Sequence, residues 1–166
     1  MKTKILLSIM IVLLVLPGCK KLDYANPNVE SYISQLKNGT NNNKLPEFSP
    51  SDIPALLVYR NDTTTIKNVP ASPISSYMLM KCKLGMIVLW NIESIRIIEI
   101  NGEKLIGRFP SQNPLLALSE KPSEWVFDES SHFTAAKAYY DWWKSNPIFK
   151  DKMKIDPLKD TKYIWH

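Results

Sequence analysis

Beyond its first twenty residues the chain holds one cysteine, Cys82, and two histidines, His132 and His166. No spacing among the three matches a metal-ligand pattern. Cys82 ends the run Met78-Leu79-Met80-Lys81-Cys82, which leads into an apolar helix, so it reads as a small buried hydrophobe rather than a nucleophile. His132 stands at the start of a predicted helix and reads as a capping or surface group. Phosphate-cradling glycine patterns are absent, and so is Gly-x-Ser-x-Gly. Asp128, Glu129 and Asp141 lie near tryptophans, which raises glycoside hydrolysis. That reaction needs two carboxyl groups facing each other at about 5–9.5 Å. Asp128 and Glu129 read more simply as negative charge at the positive end of a helix. No catalytic residue, metal ligand or cofactor is expected, and the chain reads as a non-enzyme.

The densest chemical feature is aromatic. Trp125, Tyr139, Tyr140, Trp142, Trp143, Tyr163 and Trp165 crowd the last quarter of the chain. Exposed rings of this kind stack on sugar faces, so Trp125, Tyr139, Trp142 and Trp165 are the candidate ligand-binding residues. The competing reading, which the sequence favours, makes the same rings the core and clasp of a small domain. Trp142 and Trp143 point about 100° apart on a helix, so both are partly buried if the tail packs over one of them.

A third group sits at the N-terminus. Lys2 and Lys4 precede the apolar stretch Ile5–Leu16, which ends at Leu16-Pro17-Gly18-Cys19. A basic segment, a short apolar segment and a small residue before the cut describe a secretory signal peptide. The stretch is short of the roughly 20 apolar residues that span a bilayer. A permanent transmembrane helix is therefore a weaker reading, as is an ordinary secretory signal leaving Cys19 free. Leu-x-Gly-Cys resembles the lipobox of bacterial lipoproteins, although Pro17 departs from the usual residue at its position. In that family the cysteine is acylated and becomes the new N-terminus, so the resemblance implies lipidation at Cys19 and anchoring by several acyl chains, which together hold stably where one does not. In the enterobacterial members an aspartate directly after the cysteine marks inner-membrane retention. Lys20 stands there instead, so the resemblance implies the outer membrane, on either its periplasmic or its outer face.

Removal of residues 1–18 leaves 148, enough for one domain with a real core. The whole chain has 21 basic and 16 acidic side chains. Loss of Lys2 and Lys4 leaves 19 against 16, or +3, and no basic run exceeds two residues. That is a solvated surface, not a nucleic-acid footprint. The expected partners are a membrane, through the lipid, and an envelope protein, with a glycan as the alternative.

These groups must be positioned by the elements around them. Val29, Tyr32, Ile33 and Leu36 recur at helical spacing over Asn28–Asn38, and Gly39 supplies the left-handed stop. Ser49-Pro50-Ser51-Asp52 is a helix-start signal, with Phe48 and Ile53 as a hydrophobic staple, for a helix running to about Arg60. Pro54 calls for a later start or a kink. Residues 61–76 read as a long loop, in which Asp62–Ile66 is compatible with a short strand. Leu84–Ile98, beginning as early as Ser75, is the central apolar helix. Its isoleucines also suit a strand, but Glu93 and Arg96 are spaced to pair along a helix, where they mark the wet edge. Asn113-Pro114-Leu115-Leu116-Ala117-Leu118 opens with a helix-start pair and reads as one or two turns. Trp125-Val126-Phe127 is a short apolar island. The last helix is Ser131–Asn146, with Phe133, Ala136, Tyr140 and Trp143 on its inner face and Asn146-Pro147 as its stop. The aromatic tail is expected to pack back onto the body.

Two resemblances follow from these segments. Ser51–Arg60 and Gly85–Arg96 look like the two helices of a HEAT-type pair, without the clean repeat of about 40–47 residues that true arrays show. Ala136-Lys137-Ala138-Tyr139-Tyr140-Asp141-Trp142-Trp143, with Asp156-Pro157-Leu158 and Tyr163-Ile164-Trp165, is similar to a family of small uncharacterised lipoproteins of Bacteroides-like bacteria. That family implies no activity. The expectation is a mainly α fold: a small irregular domain with HEAT-like pairs around a central apolar helix, long loops and little or no strand. Residues 1–18 form the signal peptide, 19–27 a lipidated tether and 28–166 a single helical domain. Its expected role is a lipid-anchored docking module of the cell envelope, with a glycan-binding accessory as the alternative.

Overall fold

The computed structural model describes residues 25–102, 105–145 and 148–166. The expected signal peptide 1–18, Cys19, most of the expected tether and the expected Asn146-Pro147 stop lie outside the described residues.

The first helix, α1, covers Pro27–Asn38. The Asn26 side chain accepts the backbone N–H groups of Asn28 and Val29 at 3.1 and 3.2 Å, and so caps it. Gly39, at φ +68°, stops it, and the Thr40 N–H returns to the Gln35 carbonyl at 3.0 Å. Val29, Tyr32, Ile33 and Leu36 are buried, as their spacing predicts. A 3-10 turn at Pro50–Asp52 then leads into α2, Ile53–Val58. The Asp52 carboxylate accepts the Ser49 N–H at 2.7 Å, a capping arrangement in which aspartate stands in for glutamate. It also accepts from Asn26 Nδ2 at 2.6 Å, which ties the start of α1 to the start of α2. Pro54 falls in the first turn of α2, where its missing N–H costs nothing.

Helix α3, Leu84–Asn101, is the centre of the molecule. Every residue from Leu84 to Arg96 is buried. Helices α2, α4 (Glu129–Ser145) and α5 (Phe149–Lys154) all pack on it, so it has no wet edge along that length. Glu93 and Arg96 do pair, at 2.6 Å, but inside the core rather than at its margin. Trp90, Leu45 and Phe109 form a smaller cluster at another side of the helix, and Trp90 Nε1 donates to Ser111 Oγ at 2.8 Å.

The expectation of little or no strand is overturned. Among the described residues, five α-helices accompany two small antiparallel sheets, and the fold is mixed α/β. Strands β1 (Thr65–Ile66) and β2 (Cys82–Lys83) pair directly ahead of α3. Strands β3 (Leu116–Leu118), β4 (Lys121–Val126) and β5 (Tyr163–Trp165) form a sheet in the order β4-β3-β5. Ala117 faces Trp125 on one side and Ile164 on the other. The residues expected to make a helical turn after Asn113-Pro114 are therefore a central strand. Asn113 does not cap; it is fully buried and its amide meets the Ser75 hydroxyl. A HEAT-like pair is not formed either, since α2 has only six residues and a strand pair separates it from α3. The tail does pack back, as β5.

Helix α4 is turned relative to expectation. Its buried face carries His132, Ala135, Ala136, Tyr139 and Trp142, while Phe133 and Tyr140 face outward. No helix among the described residues is long and apolar enough to cross a membrane.

Candidate functional site

The β1–β2 pair, the first turn of α3, the segment entering β3, the end of β4 and the start of α4 converge on one cavity of about 290 Å³. Cys82, Met86, Pro114 and Leu115 make its floor, and all four are buried. Thr65, Lys81, Phe127 and Asp128 stand exposed at its mouth. Ser131 and His132 form the wall on the α4 side. The volume is near the lower end for small-ligand pockets, and the lining has the usual pattern of apolar surface with a few polar groups.

His132 is the chemically distinctive wall residue. It is 1 % exposed, which corrects its reading as a capping or surface group. Its Nε2 lies 2.8 Å from the Arg60 carbonyl oxygen. A carbonyl only accepts, so the neutral ring carries its proton on Nε2 and leaves Nδ1 as a bare acceptor. Nδ1 is buried with no partner. Burial holds the imidazole below its ordinary range against the opposing Arg60 bond, and the positive charge of Lys83 adds to the lowering. The neutral form is therefore the resident one near pH 7. Gly85 makes this placement possible: a Cβ there would sit 2.4 Å from both the Arg60 oxygen and His132 Nε2. The helix cap in this corner belongs to Asp128, whose carboxylate accepts the Ser131 N–H at 2.8 Å. Bonds from Ser130 and Ser131 hold that carboxyl below the usual carboxylate range.

Cys82 shares the cavity but is not activated. Burial pushes its thiol up to about 12, and its Sγ donates to the Pro114 carbonyl at 3.6 Å. The thiolate is the nucleophilic form, so this sulfur sits in the floor as an apolar group with a weak donor. Lys81 and Lys83 bring two positive charges to the mouth. The carboxylate beside them, Asp128, is already engaged by its own helix.

The candidate aromatic residues are not brought together as a platform. Tyr139 is fully buried and Trp142 is 5 % exposed, with its Nε1 donating to the Lys152 carbonyl at 2.8 Å. Trp165 is half-buried and donates to Tyr139 Oη at 2.7 Å. Trp125 lies apart, between Tyr77 and His166 at ring distances of 4.7 and 4.6 Å. Tyr139 and Trp142 are thus part of the core. Sequence reasoning had Cys82 and His132 in hand but did not join them, because they come together only through the β1–β2 pair and the rotation of α4. The one signal in the sequence is Gly85, a glycine in the first turn of an apolar helix, which marks a close approach.

Comparison with known families adds one fact. A family model matches residues 23–166, nearly the entire chain. The chain belongs to the family described as Domain of unknown function (DUF4943). Membership of an uncharacterised domain family was the expectation drawn from the C-terminal residues. No curated protein and no solved structure matches the chain. Among the described residues, no group of three or more His, Cys, Asp or Glu side chains is placed to hold a metal ion.

Proposed function

We propose that this member of the family is a non-enzymatic binding module of a bacterial cell envelope, held at the outer membrane by acyl chains on Cys19. It docks another envelope component through the cavity between β2, β4 and α4. The observation that carries the reading is that cavity itself: an apolar floor and an open mouth, with no activated nucleophile beside it. Phe127 at its rim is 58 % exposed, and Met78 and Met80, on the segment leading into it, are exposed as well. Apolar side chains gathered at the surface mark interaction sites. The sequence Leu16-Pro17-Gly18-Cys19 supports the anchor. The glycan alternative has less support, because two of its four rings are enclosed.

Two measurements test the reading. Mass spectrometry of the mature protein should find the chain beginning at Cys19 with acyl groups attached, and Cys19→Ser should leave residues 1–18 uncleaved or the protein unanchored. Titration with toluene, followed by backbone amide resonances, should move the signals of Cys82, Leu115 and Ser131 in a saturable way. An unmodified Cys19 would remove the anchor from the proposal, and silence of those amides would remove the cavity.

A further inference from the structure

Resting on the anchored reading above, we infer that residues 74–83 form a second membrane contact. Ile74, Met78 and Met80, with Phe127 beside them, enter the acyl boundary of the bilayer, and Lys81 and Lys83 lie on anionic headgroups. The envelope component that meets the rim of the cavity is then the lipid surface itself.

Met78, Met80 and Ile74 are the three most exposed large apolar side chains among the described residues, at 78, 73 and 63 %. All three fall within one short stretch, and such gathering marks a surface that meets something other than water. The stretch is held in shape from below. Ser72 and Ser75 close a turn with Ile74 at its bend, the Ser75 N–H donating to the Ser72 carbonyl at 2.9 Å. The Ser75 hydroxyl meets the buried Asn113 amide at 3.0 Å, and the Tyr77 ring packs 4.7 Å from that of Trp125. Leu79 is buried, so Met78 and Met80 on either side of it stand outward. Phe127 adds to the same surface: it follows Trp125 by two residues and lines one cavity with Lys81.

The charge beside this patch says what covers it. No acidic side chain lies within ion-pair distance of Lys81 or Lys83 among the described residues, whereas Asp128 is held by Ser130 and Ser131. At about 3.3 Å per residue, Lys83 is within roughly 10 Å of Met80 along the chain. Apolar side chains sunk about 5–10 Å into the interface therefore leave both ammonium groups at headgroup level, where anionic lipid attracts them. A protein partner would need a shaped hole for each protruding side chain; fluid acyl chains need none. The anchor supplies proximity. The six residues from Cys19 to Tyr24 reach at most about 20 Å, so an acylated Cys19 keeps the body beside the bilayer and makes a weak second contact an intramolecular one.

The test uses the full chain in lipid nanodiscs, with isotope-labelled methionine methyl groups as the readout. One set of discs is phosphatidylcholine and the other phosphatidylcholine mixed with phosphatidylglycerol. Each contains a lipid spin-labelled near the head of its acyl chain. In the mixed discs the methyl signals of Met78 and Met80 should lose most of their intensity relative to the same sample with the label reduced. Those of Met86 and Met153, which are buried, should keep theirs. Lys81→Gln with Lys83→Gln should lower the ratio of docked to undocked chain about 30-fold on the mixed discs, at about fivefold per lysine. On phosphatidylcholine alone the same change should have no effect. These lysines lie at the rim, so the pair does not depend on a core substitution that endangers folding. A chain that elutes with the discs while Met78 and Met80 keep full intensity overturns the inference and leaves the anchor standing. Equal loss at all the named methyls, or lysine changes without effect on the mixed discs, overturns it too. Loss at Met78 and Met80 that grows with protein concentration and persists after the label is reduced assigns the patch to a second copy of the chain instead. A chain that does not elute with the discs removes the anchor and this contact together.

Discussion

Tyr139 donates its hydroxyl to Glu93 Oε2 at 2.7 Å, joining α4 to α3 at the centre of the core. The bond belongs to a chain that runs from Trp165 Nε1 to Tyr139 Oη, on to Glu93, across to Arg96 and from Arg96 Nη1 to the Met153 carbonyl at 3.0 Å. Two charges are therefore buried among apolar residues, with donors and acceptors closing around them. Such a pair adds little net stability compared with hydrophobic residues, but breaking it is severe. It ties β5, α4 and α5 to α3, which contributes both Glu93 and Arg96 while each of the others contributes one member.

Removing one member should show that asymmetry. Tyr139→Phe deletes a donor to Glu93 and the acceptor of Trp165 while keeping the ring. It should cost about 1–3 kcal/mol in urea unfolding, the penalty for leaving buried groups unsatisfied. Glu93→Ala strands the Arg96 guanidinium and should cost about 3–5 kcal/mol. A double-mutant cycle between Tyr139→Phe and Trp165→Phe should be clearly non-additive, because both remove the same bond.

Gly85→Ala tests the close approach beside the cavity. The new methyl would meet the Arg60 carbonyl oxygen and His132 Nε2, each 2.4 Å away, so both must give way or the helix must move. Alanine is the better helix former by about 1 kcal/mol. A net loss of stability on chemical unfolding would therefore show that the contact outweighs propensity, and a stabilised variant would contradict it.

His132 should give the fold a pH dependence in the mildly acidic range. The folded chain resists protonating this ring, whose value burial lowers. The unfolded chain takes up the proton below about pH 6.5. The unfolded state then binds more protons, so stability falls as pH drops below that value and keeps falling until the folded-state value is passed. The carboxyls of Asp52 and Asp62 also sit below their ordinary range, and their contribution is lost only in the more acidic window. Urea midpoints measured at a series of pH values should show the first decline in the histidine range, and His132→Gln should flatten it.

The Cys82 thiol should be silent in the native protein. Burial and its raised value leave almost no thiolate near pH 8. A thiol reagent should label the folded chain with Cys19 blocked only at the rate of opening, and label it fully in denaturant. Rapid native labelling would show the floor of the cavity to be more accessible than described.

How much of this was legible beforehand depended on what each residue had to meet. Val29, Tyr32, Ile33 and Leu36 announce α1 because one apolar stripe leaves one way to pack. Leu84–Arg96 announces a central helix for a related reason, and nothing in it says that Glu93 and Arg96 are covered too, since that depends on Tyr139 and Met153 from other elements. Leu115-Leu116-Ala117 is too short for its period to separate strand from helix; its partners Trp125 and Ile164 decide it. In α4 the doublets Tyr139-Tyr140 and Trp142-Trp143 offer two apolar stripes one residue apart. The stripe whose polar ends find Glu93 and the Lys152 carbonyl goes inside. The cavity was the least legible feature, because its wall is drawn from several separate segments that share no spacing.

Strand order carries a consequence for assembly. In the β4-β3-β5 sheet, β3 and β4 are joined by a tight turn and can meet early, but the other side of β3 waits for Tyr163–Trp165. A polypeptide emerging from a channel N-terminus first would hold Leu116–Leu118 as an open sticky border during that delay. Any holding factor that escorts the nascent chain would then have its task there, shielding three residues until the closing strand arrives.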